Sequence, residues 1–148
     1  GDEVLVEQFV EGKELTVGVV GDEVFPIVHI VPRSGFYDMA NKYPWMTGDG
    51  GTDYYCPADL DAKTTKMIQD AGLAAHDALG IEVYSRVDIL LDSYGHPYIL
   101  EANTIPGMTA SSLLPKAAAA AEPGYGFGAL CCRIGELSLA LRKTNASS

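Results

Sequence analysis

Two β-rich runs, Val83 to Leu91 and Tyr98 to Ala102, flank the short polar stretch Ser93-Tyr94-Gly95-His96. So short a connection closes an antiparallel pair, because parallel strands need a crossover of a dozen or more residues. Side chains alternate along a strand, so Arg86 and Asp88 share one face. Glu101 and Asn103 share one face of the partner strand. A two- or four-residue loop centred on Tyr94-Gly95 sets Asp88 opposite Glu101 and Arg86 opposite Asn103. A three-residue loop shifts the register by one and splits both pairs, unless a β-bulge restores them.

Directly opposed side chains have Cβ atoms roughly 5 Å apart. Two carboxylates at that separation repel, so one takes a proton or a cation sits between them. Mg²⁺ prefers oxygen ligands, commonly carboxylates, water and substrate phosphates. The amide oxygen of Asn103 is a suitable third ligand. A solvated hairpin face with ordinary surface charges has the same pattern, and the two strands by themselves leave both readings open.

The runs Val4 to Val10, Leu15 to Val20 and Val24 to Val31, punctuated at Gly12 and Gly21-Asp22, predict three strands of an antiparallel meander. Pro32 to Pro57 has no clean period and reads as one long loop, which in a compact domain is functional or disordered. Its aromatics, Phe36, Tyr37, Tyr43, Trp45, Tyr54 and Tyr55, favour function, and disorder is expected near Gly48 to Gly51. Asp61 to Leu79 is a predicted helix, capped by Asp59 or Asp61 and ended by Gly80. Its apolar stripe is Met67, Ile68, Ala71, Ala74, Ala75 and Ala78. Two more helices are expected, near Ser112 to Ala121 and from about Phe127 to Leu141. The whole reads as an α+β chain, an antiparallel sheet packed against helices.

With 148 residues, 47% hydrophobic and 20% charged, the chain is one globular domain or a piece of a larger one. A net charge of −10 argues against nucleic-acid binding. Cys56, Cys131 and Cys132 are odd in number and lack C-x-x-C spacing, so free thiols in a reducing cytosol are expected, not a zinc site. His29, His76 and His96 are scattered and read as structural or exposed. No apolar run reaches membrane-spanning length. The start Gly1-Asp2-Glu3, with neither an initiator Met nor an apolar leader, suggests a fragment.

Beyond the hairpin, Glu101-Ala102-Asn103-Thr104 runs into Ile105-Pro106-Gly107-Met108-Thr109 and then Ser111-Ser112-Leu113. Gly107 lets a backbone N–H approach a reacting group closely. A Ser-capped helix start near Ser112 is expected, and it is a natural place for a carboxylate. Arg86-Val87-Asp88, Leu100-Glu101-Ala102-Asn103-Thr104 and Pro106-Gly107-Met108-Thr109 resemble the ATP-grasp signature of D-alanine–D-alanine ligases. Glu7-Gln8-Phe9-Val10 and Gly12-Lys13-Glu14-Leu15-Thr16-Val17 look like that family's nucleotide strands. Phe36-Tyr37-Asp38 with Lys42-Tyr43 looks like its active-site loop, and Cys56-Pro57-Ala58 also matches. The resemblance spans about Val4 to Leu141.

The resemblance implies an ATP-grasp C-terminal domain over residues 1–142 and a flexible tail over 143–148. It implies ATP-dependent ligation of two D-alanines through an acyl phosphate, for peptidoglycan synthesis in the cytoplasm. Matched residue by residue, Glu7 and the backbone of Gln8, Phe9 and Val10 hold adenine, and Glu14 holds the ribose. Asp88, Glu101 and Asn103 match the ligands of Mg²⁺, one ion or two, with Mn²⁺ as a substitute. Arg86 and the Gly107 N–H match the groups that stabilise the tetrahedral oxyanion. Ser112 and the Leu113 N–H match the carboxylate site of the second D-alanine. Lys42 and Tyr43 match the loop residues that close over phosphates and substrate. Met39-Ala40-Asn41 stands where the family more often has Tyr-Glu-Ala, which bears on loop packing and second-substrate preference.

The implied partners are small molecules, ATP and D-alanine, with a homodimer as the family's frequent state. The family enzyme is about twice as long, and its N-terminal domain and upstream central segment have no counterpart in the 148 residues. The isolated chain is therefore expected to turn over slowly or not at all. Two rival readings are another ATP-grasp carboxylate–amine ligase and a non-catalytic nucleotide-binding module.

Overall fold

In the computed structural model, residues 3–33 and 51–145 are described. The chain runs β1 (Gly12–Val20), β2 (Glu23–Val24), β3 (Val28–Pro32), β4 (Thr52–Tyr55), α1 (Ala62–Ala78), β5 (Tyr84–Asp92), β6 (Pro97–Asn103), α2 (Leu113–Ala119) and α3 (Phe127–Asn145). One antiparallel sheet has the order β4-β3-β1-β5-β6, with β2 paired to β1. The α+β expectation holds.

β1 is the centre of the sheet. Leu15 to Val20 are six consecutive buried residues, because helices cover both of its faces. On one face Leu15, Val17 and Val19 pack with Val87, Ile89 and Leu91 of β5 and with Ile68 of α1. On the other, Val20, Phe25, Val28 and Ile30 pack with Leu113, Leu114, Ala117 and Ala118 of α2 and with Leu130 of α3. A methyl group on Gly18 would stand 2.6 Å from Leu114 Cδ1, so the missing side chain is what lets α2 lie directly on β1.

α1 is capped by Asp61, whose carboxylate accepts the Thr64 N–H at 2.9 Å and the Thr64 hydroxyl at 2.6 Å. Gly80 follows its end at φ 64°. The buried stripe is Ile68, Gly72 and His76, whereas Ala74 and Ala78 of the expected stripe face solvent. His76 is 2% exposed, with Nδ1 2.7 Å from the buried Ser85 hydroxyl. Burial holds the His76 imidazole below its usual pKa.

Four expectations need correction. Val4 to Val10 is not a strand. Val4, Leu5, Val6 and Phe9 are 86%, 81%, 86% and 75% exposed. β-propensity expresses fit to a neighbouring pleated surface, and among the described residues no strand pairs with this segment. The run Val24 to Val31 splits around Phe25-Pro26-Ile27, where Pro26 lacks the N–H a ladder needs. Thr52–Tyr55, read as loop, is a strand paired with β3 from His29↔Tyr55 to Pro32↔Thr52. α3 continues through Asn145, past the expected start of the tail at Lys143.

Lys42, Tyr43 and the remainder of 34–50, including most of the stretch expected to be disordered, lie outside the described residues. Gly51, at its end, accepts the Arg33 N–H at 2.9 Å. Among the described residues no helix is long and apolar enough to cross a membrane. The three cysteines are free, Cys56 half-buried and the others exposed.

Candidate active site

The hairpin register sets the site. Asp88 lies opposite Glu101 and Arg86 opposite Asn103. Nearer the turn the pairing is Ile89↔Ile99, Leu90↔Tyr98 and Leu91↔Pro97, one residue out of step. The turn is of the three-residue kind, with Gly95 at φ 85° and its N–H bonded to the Asp92 carbonyl at 3.1 Å. A bulge between Asp88 and Ile89, with Leu100 as the extra residue of β6, restores the two pairs. Asp92 locks the turn: its carboxylate accepts the N–H groups of Tyr94 and His96 at 2.9 and 2.8 Å. Those bonds hold the Asp92 carboxyl below its usual pKa.

The pairs extend into rows across the sheet. Val28, Thr16, Asp88 and Glu101 form one row, and Gly18, Arg86 and Asn103 the next. These rows share the sheet face on which α2 packs over Gly18. The Arg86 guanidinium grips Asp88 with two parallel bonds of 3.0 and 2.8 Å, with side chains only 16% and 18% exposed. Asn103 is oriented by its own turn, its Oδ1 accepting the Ile105 N–H at 3.0 Å.

A pocket of about 380 Å³ opens beside the rows, lined by Glu7, Glu14, Asp88 and Glu101 with Leu15, Ile30, Ile89, Ile99 and Leu100. Four of the residues expected at the nucleotide and metal are thus brought together. Phe9 and Gln8 are exposed and Val10 is half-buried, and none of the three lines this pocket. Its apolar walls, Ile30, Ile99 and Leu100 among them, were not singled out from the sequence. Leu100 could have been found only with the bulge in hand, since a regular strand gives it no special place. A larger hollow of about 770 Å³ lies nearer the turn, lined by Glu11, Asp59, Asp61 and Asp92 among others. Its Asp61 and Asp92 are already engaged, one capping α1 and one holding the turn.

The donor set suits a hard divalent cation. Two opposed carboxylates and an amide oxygen are oxygen donors of the kind Mg²⁺ takes. Each carboxylate oxygen has two lone pairs, so Asp88 can keep Arg86 and still serve as a ligand. Four carboxylates around one pocket also repel a phosphate chain, and a divalent cation removes that repulsion. Among the described residues no group of three His, Cys, Asp or Glu side chains is arranged to hold a metal.

Beyond β6, Gly107 stands against Ser112: a methyl at position 107 would meet the Ser112 Oγ at 2.8 Å. Ser112 occupies the N-cap position of α2, but its side chain makes no capping bond. The expectation of a Ser-capped start is corrected there. The hydroxyl turns back to Thr109, accepting its N–H at 3.0 Å. Leu113 is buried in the α2 core cluster.

Comparisons with known proteins bear on the family. Residues 1–134 match the family model described as the D-ala D-ala ligase C-terminus. The D-alanine–D-alanine ligase of Methylacidiphilum infernorum is 47% identical over 91% of this chain and 43% of its own length. That of Pseudoalteromonas translucida is 44% identical over 93% of this chain and 43% of its own. The crystal structure of the Bacillus anthracis D-alanine–D-alanine ligase complexed with ATP superposes with a TM-score of 0.75 at 32% identity, covering 94% of this chain and 42% of that one. A D-Ala:D-Ser ligase from Enterococcus faecalis superposes with a TM-score of 0.73 at 32% identity, covering 88% and 37%. The chain therefore spans under half the length of the relatives it matches, and it belongs to the D-alanine–D-alanine ligase C-terminal family.

Proposed function

We propose that this chain carries the nucleotide, metal and acceptor half of an ATP-dependent ligase that joins two D-alanines. The observation that supports it most is the convergence of Glu7, Glu14, Asp88 and Glu101 on one pocket, beside the register-locked Arg86 and Asn103.

In this reading Glu14 accepts hydrogen bonds from the ribose hydroxyls. Glu7 and the backbone of Gln8, Phe9 and Val10 hold the adenine edge. Asp88, Glu101 and Asn103 hold one or two Mg²⁺ ions, with Mn²⁺ as a substitute. A bound ion neutralises the phosphate oxygens during transfer. The γ-phosphoryl group passes to the carboxylate of the first D-alanine, giving an acyl phosphate and ADP. The amine of the second D-alanine attacks the acyl carbon, and phosphate leaves. Arg86 and the Gly107 N–H stabilise the oxyanion of that attack. Ser112 and the Leu113 N–H hold the acceptor carboxylate. Lys42 and Tyr43 close over the site and keep water from the acyl phosphate. The dipeptide serves peptidoglycan synthesis in the cytoplasm. Part of the first D-alanine site falls to the portion of the relatives that this chain does not span, so the chain alone binds nucleotide with little turnover.

Calorimetry with Mg²⁺ and a non-hydrolysable ATP analogue tests the reading. Binding that requires Mg²⁺ and is lost in Asp88→Asn is expected. Absence of binding, or binding indifferent to both Mg²⁺ and that substitution, overturns it.

A further inference from the structure

Ser112 sits in the extended N-cap conformation, φ −70° and ψ 153°, yet bonds none of the N–H groups it could cap. Its Oγ accepts the Thr109 N–H at 3.0 Å and lies 2.8 Å from Thr109 Oγ1. Thr109 Oγ1 in turn lies 3.2 Å from Ser111 Oγ. The Ser112 hydroxyl is thus held between Thr109 and the bare Cα of Gly107.

A hydroxyl has one proton and two lone pairs. If Ser112 donates to Thr109, it turns only lone pairs to a ligand and repels an anion. If Thr109 donates to Ser112, both Ser112 lone pairs are filled, one by the Thr109 N–H and one by the Thr109 O–H. The Ser112 proton then has no partner among the described residues and points to whatever accepts it. A carboxylate accepts only, so its arrival selects the second arrangement. The order becomes Ser111 to Thr109 to Ser112 to carboxylate, each hydroxyl polarising the next.

We infer that Thr109 is a positioning residue for the acceptor: it fills the acceptor side of Ser112 so that Ser112 can only donate, which selects a carboxylate-bearing ligand. This rests on the reading of Ser112 as part of the acceptor-carboxylate site. Thr109 was quoted in the sequence motif without a role, and nothing in its residue type alone assigned one.

The test follows the Ser112 and Leu113 amides of the ¹⁵N-labelled chain by NMR during titration with D-alanine and with D-alaninamide, which lacks the carboxylate. Thr109→Val removes the hydroxyl at nearly constant shape and keeps the N–H; Thr109→Ser restores the hydroxyl. Thr109 is exposed, so neither substitution strains the core. T109V is expected to weaken D-alanine binding about tenfold, the scale of one charge-assisted bond, while T109S stays within about twofold of wild type. D-Alaninamide, whose neutral carbonyl accepts more weakly than a carboxylate, is expected to lose less affinity in T109V than D-alanine does. Wild-type affinity for D-alanine in T109V overturns the inference and leaves the acceptor site standing. Equal weakening in T109S and T109V also overturns it, because the methyl group and not the hydroxyl then matters. Wild-type amides that do not respond to D-alanine overturn the acceptor reading itself, and the inference with it.

Discussion

Replacing Glu101 by Gln has opposite effects with and without the metal. Asp88 and Glu101 face each other across the strands, and their carboxylates lie roughly 6 Å apart if the side chains extend in parallel. At that separation two unit charges repel by about 0.7 kcal/mol in water, and about four times that at an effective dielectric of 20. Glu101 is exposed and Asp88 is already paired with Arg86, so the water limit, reduced by salt, is the better guide. Glu101→Gln should therefore stabilise the metal-free chain by about 0.5 kcal/mol. With Mg²⁺–nucleotide at ten times its dissociation constant, the wild type gains about 1.4 kcal/mol through mass action. The variant, short of one carboxylate ligand, gains little. The order of stability then inverts, with the variant behind by about 1 kcal/mol. Urea unfolding at constant ionic strength reads both cases, in chelator and in Mg²⁺ with a non-hydrolysable ATP analogue, provided the m-values agree. An identical order of stability in the two buffers would mean that Glu101 is not a metal ligand.

Two further outcomes follow from the core. His76 is buried neutral, with its pKa depressed by desolvation, so the unfolded chain takes up a proton near pH 6.5 that the folded chain refuses. Stability is unaffected above that pH and falls below it, by at most about 1.4 kcal/mol per pH unit until the folded imidazole titrates. Urea unfolding between pH 7.5 and 5.5 should show a steeper fall in wild type than in His76→Gln, and equal slopes would contradict the assignment. Leu114 is 1% exposed and packs onto Gly18 from α2, so Leu114→Ala should cost about 2–4 kcal/mol and loosen the Ser112 end of the helix. Thermal denaturation measures the loss, and a change below about 1 kcal/mol would mean that α2 is not seated as described.

The site was more legible in the sequence than the fold around it. Alternation put Arg86 with Asp88 and Glu101 with Asn103 on one face of each strand, and pairing them across the strands was conditional on an even loop or a bulge. The sequence left the turn length open, and the structure has the odd-length turn that would have split the pairs. Only the bulge at Leu100 rescues them, and a bulge has no residue signature strong enough to read in advance. Val4 to Val10 failed because its valines signal only a strand-like fit, and among the described residues no strand pairs with the segment. Thr52–Tyr55 was missed because four residues beside a glycine-rich stretch are too few to show a period. The α1 stripe went wrong at Gly72 and His76, since alanines suggest an apolar face whereas the helix approaches β1 along its glycine. Ser112 showed its position but not its partner, because hydroxyl direction is settled by tertiary neighbours.

Transplantation shows whether these residues are the nucleotide and acceptor half of a D-alanine ligase. Residues 1–134 of this chain would replace the matching portion of the Methylacidiphilum infernorum ligase, and ADP release would be followed with D-alanine, D-serine and D-lactate as acceptors. We expect ADP release that depends on D-alanine and Mg²⁺, with D-alanine the preferred acceptor, and its loss on Asp88→Asn. A folded chimera that binds Mg²⁺–ATP but releases no ADP with any of the three acceptors would contradict the account.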